Sequence, residues 1–581
     1  MSAKHFINDA THLVNAALHS ITLTNPSVAL DAENKIVYRR PSPNAAQQVS
    51  LISGGGSGHE PSFAGMVGQG MLSAAVAGTI FASPATEQIR AAITHRVDTS
   101  KGVLVIIMNY TGDVLNFGMA VEKAKAAGFA VEMVVVGDDV GVGRAKAGKV
   151  GRRGIAGTVL VHKITGALAA LGHSLDDVAK LARLTAANLV SVGASLAHVH
   201  VPGRKVDTEG GLELGEVEVG MGIHNEPGSE RSKLELPELV SKMLTQLLDS
   251  KDKDRAFVNF ESYEVILMIN NLGGVSVLEL GGITAEVVSQ LEAKHGIRPI
   301  RTLSGTYMTS LDGLGFSISL LQVVPHKLDA PGIVELLDAS AEVVGWSAPI
   351  QTSTWDAKNT ATLTDSASTG EETKPSDLKM DAAVAEAAFK NALDRVIAAE
   401  PDVTRYDTVV GDGDCGIGLK RGAEAILKHL SAHPLTGDAV VDVASIVNVV
   451  ENNMDGTSGA LFAIFLNALV HALRGLAPGS ATPKLWAKAL KQSSDALSKY
   501  TPARPGDRTL VDALHPFVKV LGETGDVKQA AEAARKAADE TKGMQASLGR
   551  SVYVGGSGYQ EVPDPGAWGL ACFFLGLSDS K

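Results

Sequence analysis

Apolar residues in the first 345 positions fall in short blocks bounded by Gly, Asn and Asp. Val103–Met108, Glu132–Val136 and Val265–Ile269 read as buried strands. Met119–Ala127 and Leu175–Ala186 carry helical spacing and lie between some of these blocks. The alternation predicts mostly parallel or mixed sheets with helices on their faces. From about Trp346 the pattern lapses into a Ser/Thr-rich polar stretch, which reads as an interdomain linker over 346–377. Beyond it, residues 378–400, 418–433, 440–454, 457–473, 482–500, 509–522, 527–542 and 564–578 carry Ala, Leu and Val at helical spacing, with no convincing strand between them. The expected fold is multidomain: an α/β region over 1–345 followed by an all-α domain over 378–581.

Composition adds exclusions. Glycine supplies 61 of 581 residues and aromatics only 4%. Without a Gly-X-Y repeat, that excess excludes collagen and points to loops where backbone approaches something closely. The net charge of −12 argues against a broad nucleic-acid or anionic-membrane surface. A phosphorylated substrate stays open, because a metal ion neutralises one locally. Cys415 and Cys572 are too few for a disulfide scaffold and lack zinc-finger spacing. The N-terminal MSAKHFINDATHLV lacks a signal peptide's apolar core, and the apolar stretch Ala460–Leu473, interrupted by Asn467 and His471, is too short to span a bilayer. The expectation is a soluble, cytoplasmic protein with no membrane and no nucleic-acid partner.

Several glycine-bearing motifs carry candidate chemistry. Ser53-Gly54-Gly55-Gly56-Ser57-Gly58-His59-Glu60-Pro61 follows the apolar run Val49–Ile52. It reads either as a tight structural turn or as bare backbone N–H groups offered to a ligand, with His59 suited to acid–base work. Neither standard nucleotide loop is met. Asn109-Tyr110-Thr111-Gly112-Asp113 follows a strand, and Asp113 is either a helix N-cap or a site carboxylate. His224 stands in Gly220-Met221-Gly222-Ile223-His224-Asn225-Glu226-Pro227-Gly228, too broken for a long helix, so a loop presents it. In the helical half, Asp407 precedes Gly411-Asp412-Gly413-Asp414-Cys415-Gly416. Three carboxylates so close repel one another unless a cation joins them, and all-oxygen ligands suit Mg²⁺; the other reading is a solvated acidic turn. Gly456-Thr457-Ser458-Gly459 and Gly506-Asp507-Arg508-Thr509 open helices, either as ordinary caps or as anion sites with Arg508 as a phosphate fork.

Together SGGGSGHEP at 53–61, NYTGD at 109–113, GMGIH at 220–224, GDGDCG at 411–416, TSGAL at 457–461, GDRT at 506–509 and DPGA at 564–567 resemble the single-chain ATP-dependent dihydroxyacetone kinases, end to end and in order. The resemblance implies a K domain of two α/β subdomains dividing near residue 190, a linker, and an L domain built as an eight-helix α-barrel. It implies that His224 forms a covalent hemiaminal with dihydroxyacetone, and that Asp113 is the base for the attacked hydroxyl. Gly54, Gly55, Gly56, Ser57, Gly58 and His59 would hold the substrate, with His59 assisting. Asp407, Asp412 and Asp414 would ligate Mg²⁺. The nucleotide ATP would be surrounded by Asp412, Gly413, Asp414, Cys415, Thr457, Ser458, Arg508, Thr509, Asp564, Pro565 and Gly566. A homodimer is implied, and glyceraldehyde is a second expected substrate. Two alternatives remain: cyclising cleavage of FAD, known in some members with Mn²⁺, and a non-catalytic carbonyl-ligand sensor. The chain departs from the common pattern at Phe63, Gln69 and Met108, and at Asp402, Tyr406 and Asp455, the last placing a negative charge near the expected phosphates.

Overall fold

The computed structural model describes residues 5–41, 46–205, 211–260, 264–347, 350–357, 373–548 and 558–579. Two compact units form, Met1–Thr362 and Leu363–Lys581.

The first unit holds two six-stranded sheets. The first comprises β1 (Val28–Asp31), β2 (Ile36–Arg39), β3 (Ser50–Ser57), β4 (Ala74–Ile80), β5 (Val103–Met108) and β6 (Val131–Val136), in the order β1-β2-β4-β3-β5-β6. Strands β4, β3, β5 and β6 run parallel, and β1 and β2 form an antiparallel edge. All six side chains of β5 are buried, as its unbroken apolar run requires. The chain leaves β3 toward β4 and later departs from β5 toward β6. The crevice beyond the carboxyl ends of β3 and β5 is therefore the topological switch point, where open α/β sheets hold ligands.

The second sheet contains β7 (Leu189–Ser195), β8 (Val217–Val219), β9 (Glu230–Ser232), β10 (Val265–Asn271), β11 (Arg301–Gly305) and β12 (Gly315–Gln322), ordered β11-β10-β12-β7-β8-β9. Only β10 and β11 are parallel. β12 inserts antiparallel between β10 and β7, so this sheet is mixed rather than mostly parallel. Periodicity reports burial but not strand direction.

The glycine run is not a turn after a strand. β3 continues through Gly54, Gly55, Gly56 and Ser57, with a register shift against β4 between Gly55 and Ser57. A Cβ on Gly54 would lie 2.2 Å from the Val76 carbonyl oxygen. Gly54→Ala is expected to cost about 3 kcal/mol through overpacking. Gly281→Ala, in open space on the helix Val277–His295, is expected to gain about 0.5–1 kcal/mol. Urea midpoints at constant m-value would show both.

The second unit has eight α-helices among its described residues: Ala382–Val410, Cys415–Ala432, Ala439–Asn453, Gly456–Arg474, Pro483–Leu497, Val511–Thr524, Val527–Glu540 and Pro565–Ser578. A two-residue parallel pairing, Leu378–Lys379 with Gly479–Ser480, supplements them. The first helix runs past the expected end at 400 and through Pro401, because Val403, Tyr406 and Val410 bury into the core beyond it. That extension places Asp407 on a helix rather than a loop. The helix Gly456–Arg474 corrects the reading of its apolar stretch as too short. At 19 residues it is long and apolar enough, by length and composition, to cross a membrane. It packs Leu461, Phe462, Ile464 and Phe465 against the other helices.

The segment 346–377 has ordered ends. A short helix, Thr352–Asp356, lies beside Arg301, which pairs with Asp338 at 2.7 Å and Asp356 at 3.5 Å. At the other end, Asp438 accepts from the Ser376 and Asp377 backbone amides. Residues 358–372 lie outside the described residues.

Candidate active site

The first unit gathers its candidate residues at the switch point. The chain leaves β3 into Gly58 and His59, and leaves β5 into the helix Thr111–Ala126, whose first turn carries Asp113. Tyr110, not Asp113, is the N-cap. The loop after β8 brings His224 against both, across a long separation in sequence.

His224 is walled by rings. Tyr110 and Phe81 meet it edge-on at 4.8 and 5.0 Å between centroids, and His59 at 4.8 Å. Phe81 also stacks on His59 at 5.4 Å. Phe81, Asn225 and Leu311 all take left-handed backbone conformations, with φ of 59°, 64° and 50°. Such strain in bulky residues clusters where surrounding structure over-determines the backbone, as at functional sites. Asn225 is held by paired hydrogen bonds to the Val199 backbone, each 2.9 Å. Ser310 donates to the Ile223 carbonyl at 2.5 Å.

Proton positions follow from the hydrogen-bond partners. His59 Nδ1 faces the Thr309 carbonyl at 2.9 Å, so it carries a hydrogen and its Nε2 keeps a lone pair. His224 Nδ1 donates to Glu226 Oε1 at 2.9 Å, and its backbone N–H donates to Glu226 Oε2 at 2.9 Å. The two Nε2 atoms lie 3.0 Å apart, which requires one proton between them. Burial, reinforced by the charge of His224, pushes His59 down to about 3, so His59 Nε2 stands as the acceptor in this contact. Burial alone would raise Glu226, but its hydrogen bond to His224 and that ring's charge pull it down to about 2. Burial lifts Asp113 to about 6 against the opposing Ser83 hydrogen bond and His224 charge. Asp113 Oδ1 and the Tyr110 hydroxyl are buried without a partner among the described residues. A Cβ on Gly55 would meet Phe63 at 3.2 Å and Asp113 Oδ2 at 3.6 Å, so bare backbone borders the carboxylate.

The second unit gathers the acidic residues. Ligand oxygens of Asp407, Asp412 and Asp414 all lie within 4.8 Å of one another. Asp407 is buried and accepts from the Cys415 backbone N–H at 3.0 Å; Asp412 and Asp414 are exposed. Gly413, at φ 82°, makes the turn that brings them together. Two solvent-facing carboxylates and one anchored carboxylate fit a hard divalent cation that keeps open positions. Burial pushes the Cys415 thiol up to about 12, so it stays neutral beside them.

Helix N-termini cluster here. Cys415 Sγ lies 3.9 Å from Ser458 Oγ on the first turn of the helix Gly456–Arg474, where Thr457 is exposed. Asp564 caps the helix of Pro565 and Gly566 by accepting from Ala567 N–H at 2.7 Å. Burial lifts Asp564 to about 7, and the Asp512 and Asp407 charges add to the rise. Asp512 accepts from the Gly506 and Thr509 backbone amides, fixing that loop. Arg508 does not extend as a fork. It is buried, and its Nη2 donates to the Tyr559 and Val562 carbonyls, each at 2.9 Å.

The departures are absorbed locally. Phe63 and Met108 are buried in the core, Phe63 edge-on to His162 at 5.9 Å. Gln69 accepts from Arg39, Asp402 pairs with Arg405 at 2.9 Å, and Tyr406 packs edge-on to Trp568 at 5.4 Å. Asp455 is exposed and paired with Arg421. Reading the sequence missed Glu226, Phe81, Thr309 and Asp512. Glu226, in the same Gly/Pro loop as His224, was the one with a local signal.

A Dak1 domain matches residues 19–344 and a DAK2 domain matches residues 409–579. The chain is 42% identical to a dihydroxyacetone kinase of Pichia angusta, covering 100% of this chain and 99% of the relative. It is 36% identical to the human triokinase/FMN cyclase over 99% of both. A solved dihydroxyacetone kinase from C. freundii, in complex with AMP-PNP and Mg²⁺, superposes with a TM-score of 0.63 at 32% identity, covering 100% of both chains. The chain belongs to the family of single-chain dihydroxyacetone kinases, with a K-type domain followed by an L-type domain.

Proposed function

We propose that this protein transfers the γ-phosphoryl group of Mg·ATP to dihydroxyacetone, and to glyceraldehyde, with the carbonyl substrate held covalently on His224. The observation that carries the covalent step is the contact between the two Nε2 atoms, because it places a nucleophile and its proton together. As the ketone enters, the shared proton passes to His59 Nε2. His224 Nε2 bonds to the carbonyl carbon, the π pair moves to oxygen, and the oxygen takes that proton from His59. Charge is conserved: the alkylated imidazolium keeps its Nδ1–H on the Glu226 carboxylate. Glycerol offers no carbonyl and is not captured.

Asp113, with an oxygen left unpartnered, accepts the proton of the hydroxyl that attacks phosphorus. Asp407, Asp412 and Asp414 would hold Mg²⁺, which supplies charge neutralisation for the phosphates. Thr457, Ser458, Thr509 and the Asp564-Pro565-Gly566 turn would border the nucleotide, with Arg508 shaping that border through its bonds to the Tyr559 and Val562 carbonyls. The family resemblance supports a homodimer, and the two free cysteines, Cys415 and Cys572, support a cytoplasmic location. A second reading, cyclising cleavage of FAD at the nucleotide site, is supported by the name of the human relative. Measuring FAD turnover with Mn²⁺ in wild type and His224→Ala tests it, since that reaction needs no His224.

The pH dependence has a definite sign. Asp113 acts as a base only when ionised, so turnover at saturating ketone falls about tenfold per pH unit below about pH 6. Its effect on stability runs oppositely. A carboxyl raised in the folded state contributes stability fully present below its unfolded value of 3.8 and lost as pH rises through about 6. Asp113→Asn should flatten the acid limb of the rate profile at a much lower rate. A persisting limb would remove Asp113 from the role of base.

A further inference from the structure

We propose that Arg153 is a positioning residue that tempers the nucleophilicity of His224, acting through Glu226 so that the captured ketone is released after transfer. The inference rests on the covalent reading above.

Glu226 binds the His224 ring through Oε1 and the His224 backbone through Oε2. A Cβ on Gly222 would lie 2.0 Å from Glu226 Oε2 and 2.4 Å from Arg153 Nη1, so carboxylate and guanidinium face each other across the space a side chain at 222 would fill. Arg153 is fixed there. Its Nη2 lies 2.7 Å from Asp139 Oδ2 and donates to the Gly220 carbonyl at 2.7 Å, while its Nε donates to Asp139 Oδ2 at 2.8 Å. Asp139 is itself buried and accepts from the Gly141 amide at 2.8 Å. One side chain thus joins the loop after β6 to the loop carrying His224. The charged and titratable groups around Arg153 are Asp139, Tyr110 and Glu226, with Asp138 beside Asp139.

A carboxylate on Nδ1–H pushes electron density toward Nε2 and stabilises an imidazolium. A cation on the far side of that carboxylate opposes both effects. It weakens the attacking nitrogen and raises the energy of the alkylated imidazolium, so the N–C bond stays reversible. A strictly stronger nucleophile would hold the phosphorylated product as firmly as the substrate.

The test uses the full chain and dihydroxyacetone labelled at its carbonyl carbon. The fraction present as tetrahedral carbon is followed by NMR across ketone concentration, and exchange is followed after an unlabelled chase. Arg153→Met is expected to capture at about tenfold lower ketone concentration and to release about tenfold more slowly, so that kcat and KM fall together. Arg153→Lys, which keeps the charge, is expected to stay within about twofold of wild type. Arg153→Met leaves Asp139 buried without its partner, so Arg153→Met/Asp139→Asn is measured beside it and decides the matter if the single variant does not fold. Capture in wild type with equal or weaker capture in the folded variants overturns the role of Arg153. Absence of tetrahedral carbon in wild type overturns the covalent reading instead.

Discussion

Asp412→Ala is expected to abolish phosphoryl transfer, by about 10³-fold or more, while leaving the proposed capture of dihydroxyacetone at His224 intact. The size follows from what the three carboxylates do together. Asp407, Asp412 and Asp414 converge within 4.8 Å and would hold Mg²⁺ together, so removing one would leave the cation short of a ligand. The selectivity follows from placement. The carboxylates belong to the unit Leu363–Lys581, and the ring-walled histidine belongs to Met1–Thr362. ADP release measured beside NMR detection of captured ketone separates the two functions. Loss of capture in Asp412→Ala would mean that the labour is not divided this way. Asp412 is the better choice than Asp407, which also anchors the start of the helix Cys415–Ala432 through the Cys415 amide.

His224→Ala gives the mirror result. Covalent capture is expected to disappear and ketone-dependent ADP release to fall by about 10³-fold or more, because on the proposed mechanism removing the nucleophile removes the intermediate itself. The variant keeps Asp407, Asp412 and Asp414, so a metal-dependent thermal shift with Mg·ATP is expected to match that of wild type. Comparing dihydroxyacetone, glyceraldehyde and glycerol sharpens the reading. Wild type should turn over only the two carbonyl compounds, and His224→Ala should lose that preference with the rate. Equal wild-type turnover on glycerol would rule out capture through a carbonyl.

Much of the fold was legible because burial leaves a periodic trace. Val103–Met108 forms a strand over the residues its apolar run marks, and eight helices stand where eight helical patterns stood. Other features had no such trace. Strand direction in the second sheet depends on β12 inserting between β10 and β7, a contact between distant segments. The extension of Ala382–Val410 through Pro401 reflects core packing overriding a local breaker. In the site, His59, Asp113, His224 and the three carboxylates were visible because glycines expose them. Phe81 and Thr309 were not, since their roles arise only when separate loops meet. Arg508 shows the opposite case. Its composition suggested an outward phosphate fork, yet the Tyr559 and Val562 carbonyls turn it inward.

The aromatic wall around His224 has a consequence for selection. A pocket built from hydrogen-bond donors sorts polyols by shape, and molecules differing by two hydrogens pass similar tests. On the proposed mechanism, a pocket centred on His224 Nε2 and closed by the rings of Tyr110, Phe81 and His59 would sort by oxidation level instead. Such a site would answer to how much of a three-carbon pool is oxidised, and nucleotide would be spent only on that fraction.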